Sequence, residues 1–170
     1  EAASTVGYLG HDPELWNDTV EENVLCGEAG DAMRFLALTA LDGEVRSMEQ
    51  GLDTIVGNSG VRLSGGQQAR LALARTLARK RPLYVLDDPF SAVDKATEQA
   101  IMAGLRAQAA GSIVVLISHR LTLFPELDQV IWVEDGHALT STHAGLMQNC
   151  SAYRAFYTKQ AGEVRCDDER

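Results

Sequence analysis

The chain has 170 residues, of which 24 are acidic and 15 are Lys or Arg, so its net charge is −9. This acidic balance argues against a nucleic-acid-binding protein, because contacts to a phosphate backbone need a basic surface. The hydrophobic content of 45% suits a soluble domain, and no apolar run approaches the ~20 residues that span a bilayer. Cys26, Cys150 and Cys166 are widely spaced, which predicts reduced thiols in a cytosol and no disulfide framework.

The first half of the chain predicts one short strand followed by helices. In chain order, these are a strand over 6–9, a short helix after residue 18, a helix over 32–41 and a long helix over 64–79. Asp18 and Asp31 are placed to cap the first two helices. Pro82 stops the third, because the residue before a proline disfavours helix.

The second half alternates strands and helices. We predict strands over 83–86, 113–117 and 129–133, a helix over 95–110, and two short helices over 142–149 and 152–160. The first two strands are apolar runs, which indicates strands buried on both faces. The sequence therefore predicts an α/β fold with a mostly parallel sheet formed by residues 1–17 and 81–160. Residues 18–80 would form an inserted α-helical subdomain, and residues 161–170 a polar tail.

A pair of glycines stands at the start of the long predicted helix, in the run Leu63-Ser64-Gly65-Gly66-Gln67. Adjacent glycines let a ligand approach the backbone closely. The free N–H groups and the dipole of a helix N-terminus favour an anion, and Ser64 can add a hydroxyl donor. Such a run on its own is more often only a helix cap, so its interpretation depends on the residues that follow.

Acidic and imidazole side chains follow two of the predicted strands. Asp87 and Asp88 come directly after the strand over 83–86, at the edge where α/β sheets bind ligands. Asp87 is suited to hold Mg²⁺ through water, and Asp88 would lie near an attacking water. His119 follows the next strand, at the same edge of the sheet, and can reach a phosphate whose Mg²⁺ is held by Asp87. A turn or a helix cap explains paired aspartates equally well, and a single histidine is more often structural.

Together these runs resemble the ABC transporter ATPase family. The matching runs are the signature Leu63–Gln67, the Walker B strand Leu83–Asp88, the D-loop Ser91-Ala92-Val93-Asp94, the switch histidine His119, the Q-loop region Tyr8–Pro13 and the exporter segment Trp16–Val24. The resemblance covers about residues 5 to 160. It implies a P-loop NTPase-like fold, with a partial RecA-like ATPase core and a helical signature subdomain.

The resemblance also implies a mechanism shared between two domains. Two such domains, identical or different, would pair head to tail around two ATP molecules, and Leu63 to Gln67 would contact a γ-phosphate in trans. Asp87 would serve Mg²⁺, Asp88 and His119 would be catalytic, and the D-loop, with Ser91 and Asp94, would couple the two sites. The Q-loop segment and the helical subdomain would contact the transmembrane domain of an exporter, at the cytoplasmic face of a membrane.

Three departures from the family pattern affect the expected activity. No GxxxxGK[ST] run occurs and none of the lysines follows a glycine, so we expect the Walker A loop upstream of Glu1 and no activity from this chain alone. Asp88 stands at the position of a catalytic Glu, and His11 at that of the Q-loop Gln. A shorter carboxylate and a titratable ring predict slow hydrolysis at the chain's own site, as in one half of an asymmetric exporter.

Two other functions stay open. Asp88 and His11 favour a regulatory domain that binds nucleotide without turnover, whereas the intact signature and His119 favour hydrolysis. A soluble ABC protein of repair or translation uses similar motifs and needs nucleic-acid or ribosome contacts. The acidic charge and the exporter-like run from Trp16 to Val24 count against that class. The transported substrate would be chosen by membrane helices that this sequence does not contain.

Overall fold

The computed structural model describes residues 5–58, 60–90 and 93–167, with side chains described to residue 162. In chain order, these ranges hold β1 (Val6–Leu9), α1 (Val20–Leu25), α2 (Ala32–Leu38), α3 (Asp42–Ser47), α4 (Gly65–Ala78), β2 (Leu83–Asp87), α5 (Lys95–Gln108), β3 (Ile113–Ile117), β4 (Val130–Glu134), β5 (His137–Ser141), α6 (His143–Asn149) and α7 (Ser151–Asp167). Short 3₁₀ helices occupy Gly51–Asp53 and Leu121–Glu126. By contacts, the chain divides into two compact units, Glu1–Ser118 and His119–Arg170.

The first unit is built on a three-stranded parallel sheet in the order β1-β2-β3. Its register places Val6 opposite Leu83 and Leu83 opposite Ile113, and ends with Asp87 opposite Ile117. Parallel strands need long crossover connections, which here contain α1 to α4 in one case and α5 in the other. The predicted α/β fold with a parallel sheet is therefore confirmed.

The helices between β1 and β2 share one hydrophobic core. Buried side chains from α1, α2, α3 and α4 form a single cluster, which includes Val24, Leu36, Val45 and Leu71. Burial of such side chains is the main favourable term in folding, so this cluster fixes α3 beside the start of α4. Contacts group these helices with the sheet in the first unit, and the predicted partition at residues 18 and 80 stays a prediction.

Short polar side chains set the starts of the first two helices. Thr19 caps α1, because its hydroxyl accepts the N–H of Glu22, while Asp18 accepts the N–H of Thr19. The prediction that Asp18 caps this helix is wrong by one residue, since the two neighbouring side chains can both accept from the turn. Asp31 caps α2 as predicted, by accepting the N–H of Arg34 at 3.2 Å.

The two faces of the three-stranded sheet differ in burial. Tyr84 and Leu86 are fully buried, and the Tyr84 hydroxyl donates to the carbonyl of Arg79 just after α4. On the opposite face, Tyr8 is 64% and Ile113 is 68% exposed. The strand predicted over 113–117 is confirmed, but the expectation that both of its faces are buried is wrong. Alternate residues point to opposite faces, and the side chains of β3 on the second face stay open to solvent.

The second unit contains an antiparallel hairpin, β4 with β5, followed by two helices. Asp135 and Gly136 form its turn with φ of 48° and 76°, the left-handed values that a tight hairpin turn needs. The predicted strand over 129–133 is confirmed. Helix α7 reaches Asp167, seven residues beyond the predicted end at Gln160. No helix in the described ranges is both long enough and apolar enough to cross a bilayer.

Candidate functional site

The start of α4 is closed by a reciprocal pair of hydrogen bonds between Ser64 and Gln67. The Ser64 hydroxyl accepts the N–H of Gln67 at 3.2 Å, and Gln67 Oε1 accepts the N–H of Ser64 at 2.8 Å. The N–H of Gln68 donates to the carbonyl of Ser64 at 2.9 Å. In the described ranges, no acceptor engages the N–H groups of Gly65 and Gly66, which are therefore the open donors of the first turn.

These open donors face solvent on an anchored loop. Ser64 and Gly65 are exposed, whereas the Leu63 side chain is buried in the core cluster of the helices. A Cβ placed on Gly65 would meet no atom of the described residues within 4 Å, so their packing does not require glycine there. The missing side chain does leave the backbone open to close approach by a ligand. The predicted signature residues are thus arranged as an anion-binding helix start.

Two side chains that the sequence analysis did not identify hold this helix start in place. Glu44 on α3 accepts from Gln67 Nε2 at 2.6 Å and from Arg70 Nη2 at 2.7 Å. Arg70 also donates to the carbonyl of Gly66 at 3.2 Å and to that of Ala40 at 2.6 Å. Desolvation raises the pKa of Glu44, but the hydrogen bonds from Gln67 and Arg70 and the charge of Arg70 outweigh it, and the pKa lies below its ordinary value.

The second predicted group, Asp87 and Asp88, lies at the carboxyl end of β2. Asp87 is the last residue of the strand, and the N–H of Asp88 donates to the carbonyl of Ile117 on β3 at 2.8 Å. Asp88 has a φ of +47°, a left-handed conformation that costs most L-residues about 1–2 kcal/mol. Its Oδ1 is buried, and no donor among the described residues reaches it. Strain and an unpaired acceptor meet at one strand end, as is common at functional sites.

The chemistry of this strand end suits Mg²⁺. Magnesium binds oxygen ligands, keeps several of its waters and needs only one or two carboxylates. Asp87 and Asp88 offer such carboxylates, and Asp88 Oδ1 has an unused lone pair. In the part of the chain that the structure describes, no group of three or more His, Cys, Asp or Glu side chains could hold a metal ion. An ion here would therefore take its remaining ligands from water or from a phosphate.

The predicted D-loop residue Asp94 caps α5. Its Oδ1 accepts the N–H groups of Ala96 at 2.9 Å and Thr97 at 3.0 Å, and its Oδ2 accepts the Thr97 hydroxyl at 2.7 Å. The hydrogen bond from the Thr97 hydroxyl and those from the backbone hold the pKa of Asp94 below its usual value. Capping accounts for this aspartate locally, and its coupling role stays a prediction. Ser91 lies outside the described residues.

His11 lines an open cleft of about 820 Å³ in the first unit. The same cleft is lined by Pro13, Gly57, Arg62 and Gly65, so it joins the Q-loop region to the start of α4. The structure therefore brings His11 and the signature loop to one cleft. Nothing in the sequence identified Gly57 and Arg62 as their neighbours, since they come from the irregular segment before α4.

His119 belongs to the second unit and is exposed. Its carbonyl accepts from Gln160 Nε2 at 2.6 Å, and Gln160 Oε1 accepts the N–H of Leu121 at 3.1 Å. One amide side chain from α7 thus holds the backbone on both sides of Arg120. The expected convergence of the His119 imidazole with Asp87 stays a prediction.

Comparison with known proteins identifies the family. A family model described as "ABC transporter" matches residues 1–91. This chain belongs to the ABC transporter family. The "ABC transporter ATM1" of Toxoplasma gondii is 38% identical over 161 residues, which cover 91% of this chain and 14% of that protein. The "ATP-dependent lipid A-core flippase" of Haemophilus ducreyi is 35% identical over 169 residues, 96% of this chain and 28% of that protein.

A solved structure of the same family confirms the fold. The chain matches a "bacterial Atm1-family ABC exporter with ATP bound" with a TM-score of 0.85 and 31% identity, over 94% of this chain and 29% of that one. The predicted family and the predicted α/β ATPase fold are therefore confirmed. It spans between 14% and 29% of the length of these three relatives.

Proposed function

We propose that this chain is the ATP-hydrolysing domain of an exporter, in which ATP-driven pairing with a second ABC ATPase domain moves the transport pathway. The observation that carries the proposal is the pair of N–H groups at Gly65 and Gly66, which no acceptor among the described residues engages, on a helix start where packing does not require glycine at Gly65. The positive end of the helix dipole adds to the attraction of an anion such as a γ-phosphate. In the arrangement that the resemblance implies, that phosphate would belong to a nucleotide held by the paired domain.

The end of β2 would serve the chain's own nucleotide. Asp87 would hold Mg²⁺ through water, and Asp88 and His119 would orient the attacking water and the γ-phosphate. Magnesium would neutralise charge that builds up on the phosphate during transfer. The unpaired Oδ1 of Asp88 and its left-handed backbone support a ligand at this point. The D-loop, with Ser91 and Asp94, would couple the two sites of the pair.

The cleft beside the Q-loop region would receive the transmembrane domain at the cytoplasmic face of the membrane. Trp16, Ile55 and Val61 are each about half exposed in the segments on either side of the cleft-lining residues, and they offer apolar contact area. Arg75 lies over the Trp16 ring at 5.3 Å and donates to the carbonyl of Glu14 at 2.7 Å. These contacts fix the Q-loop side of the cleft to α4, so a displacement of the Q-loop region would also displace α4.

We propose in addition that the chain's own site hydrolyses ATP slowly, because Asp88 and His11 replace the usual Glu and Gln. The paired domain would then be a different polypeptide with a competent site. In the full-length pair, Asp88→Glu should change ATP turnover little while the partner's catalytic Glu is intact. Loss of all turnover on Asp88→Ala alone would contradict this asymmetry.

Single-turnover phosphate release from the full-length pair tests hydrolysis itself. The proposal expects phosphate release after Mg-ATP binding, with the signature of this chain intact. Nucleotide binding without phosphate release would favour the second candidate, a regulatory domain that gates its partner, to which the shortened carboxylate of Asp88 points.

A further inference from the structure

We propose that Glu44 and Arg70 are positioning residues that orient the signature loop for its contact with nucleotide. The inference rests on the proposed role of Ser64 to Gln67. Neither residue belongs to the signature itself, and Glu44 comes from a different helix, α3. Their contacts are to side-chain and backbone atoms of the loop, so they would act through it.

Glu44 fixes the orientation of the Gln67 side-chain amide. An ionised carboxylate only accepts hydrogen bonds, so the Gln67 group at 2.6 Å from Glu44 Oε2 must be the NH₂. The amide oxygen is then turned toward the N–H of Ser64, at 2.8 Å. With the opposite orientation, the NH₂ group would face the N–H of Ser64, and both hydrogen bonds would be lost. Glu44 therefore selects the amide orientation in which Gln67 caps the Ser64 N–H, next to the open donors of Gly65 and Gly66.

Arg70 ties the same loop to the turn that precedes α3. Its planar guanidinium reaches three acceptors at once: the carbonyls of Gly66 and Ala40, and the carboxylate of Glu44. The Arg70 side chain is only 11% exposed, so these hydrogen bonds are largely protected from water. A lysine has a single small ammonium group and cannot match this fork geometry. Arg70 thus sets the position of the backbone next to the open N–H groups.

The pair also keeps the helix start attractive to phosphate. A lone carboxylate at Glu44 would place a negative charge near the anion site and oppose binding there. The contact with Arg70 at 2.7 Å neutralises that charge. Loss of Arg70 would therefore remove a positioning contact and leave the negative charge of Glu44 near the anion site. Glu44→Gln instead removes the carboxylate that faces both Gln67 and Arg70, and it leaves the positive charge of Arg70 without its partner in this pair.

Helix α3 offers a matched control for these variants. Arg46 pairs with Asp42 on the same helix at 2.9 Å, and its side chain is 65% exposed. Arg46→Gln removes an ion pair of α3, as Glu44→Gln does, but in the described part of the chain this pair makes no hydrogen bond or ion pair with the signature loop.

The experiment compares Glu44→Gln, Arg70→Lys, Arg46→Gln and Gly65→Ala in the full-length protein with its paired domain. We expect Glu44→Gln to lower kcat for ATP about tenfold while the KM changes less than about twofold, because the loop acts after nucleotide has bound. Arg70→Lys should lose at least as much, and Arg46→Gln should match wild type. Hydrogen exchange should become faster at the Ser64 amide in Glu44→Gln, with the rest of α3 and α4 unchanged.

The outcomes separate this inference from the proposed function. Wild-type turnover in Glu44→Gln, together with strong loss in Gly65→Ala, overturns the positioning role and leaves the proposed function standing. Wild-type turnover in Gly65→Ala overturns the proposed function itself. A loss in Glu44→Gln that accompanies faster exchange throughout α3 also counts against positioning, because a merely structural role gives that pattern.

Discussion

The signature loop and the end of β2 both serve the proposed nucleotide site, yet they are built in opposite ways. At the loop, side chains of Ser64, Gln67, Glu44 and Arg70 engage their neighbours, and among the described residues no acceptor reaches the backbone N–H groups of Gly65 and Gly66. At the strand end, Asp88 combines a left-handed backbone with a buried oxygen that no donor of the described residues reaches. The polar side chains of the loop are hydrogen-bonded without a ligand, whereas the buried oxygen at the strand end has no donor among the described residues.

Because of this difference, ligand binding should affect the loop and the strand end in different ways. A preformed donor pair loses little freedom when a phosphate arrives, so it can recognise a nucleotide held elsewhere. An unpaired buried acceptor is stabilised when a cation or water reaches it, so the strand end would gain order on loading. Substitutions in the two regions should therefore have opposite effects on stability.

The largest expected effect on stability comes from Asp88→Gly. Glycine adopts a positive φ freely and removes the unpaired oxygen. Glycine also makes the unfolded chain more flexible, which opposes the gain, and we expect local stability to rise by about 2 kcal/mol after both effects. Hydrogen exchange of the β2 and β3 amides in the full-length protein measures the gain. Asp135→Gly is the control, since Asp135 has a similar φ of 48° in an exposed turn and should gain much less. A gain in the control as large as that in Asp88→Gly would assign the effect to backbone conformation alone, and faster opening in Asp88→Gly would argue that the Asp88 oxygen is well paired.

A smaller effect is expected from Ser64→Ala. Loss of an N-terminal cap typically costs about 1 kcal/mol, and exchange at the amides of Gln67 and its neighbours should speed up accordingly. Thr142→Ala removes the cap of α6, where the hydroxyl accepts the N–H of Gly145 at 3.1 Å, and should cost a similar amount there. ATP turnover should fall only for Ser64→Ala. Equal turnover in both variants would mean that Ser64 is a cap and nothing more.

The smallest effect is a pH dependence at Glu44. Its pKa is lowered on folding, so its stabilising contribution is present above the ordinary value of 4.5 and is lost as the pH falls through the lower folded pKa. Arg70 faces this carboxylate from α4, and the charged side chains of Asp42 and Arg46 on α3 pair with each other. Because Glu44 is 41% exposed, we expect a contribution of only a few tenths of a kcal/mol. The difference in hydrogen exchange between wild type and Glu44→Gln should shrink below about pH 4.5. A difference that grows in acid would mean that folding raises the pKa of Glu44 and does not lower it.

Much of the fold was predictable from the sequence because its signals are local. Apolar runs located β2 and β3, and Asp31 and Ser64 marked helix starts through caps that act within one turn. Thr19 shows the limit of that approach, since two adjacent acceptors compete for one turn. The open face of β3 was missed because an apolar run shows how much can be buried but not what lies opposite each face.

The residues of the candidate site that lie close together in the sequence were also predictable, whereas those that meet only through the fold were not. The spacing of Leu63 to Gln67 from Asp87 indicated the family, and the structure adds which amides stay open. Arg70 could have been found, because it lies three residues after Gln67 on one helix. Glu44 could not, since it meets Gln67 only through the packing of α3 against α4. The left-handed backbone of Asp88 was equally out of reach, because nothing local distinguishes it from an ordinary strand end.

One substitution tests the central claim, that the amides of Gly65 and Gly66 are open for nucleotide and not for packing. In Gly65→Ala the added methyl meets no atom within 4 Å in the part of the chain that the structure describes, so hydrogen exchange along α4 should be unchanged or slower. ATP turnover of the full-length pair should fall about a hundredfold, because the methyl blocks approach to the backbone donors. Wild-type turnover with an intact α4 would show that these amides do not contact nucleotide during turnover.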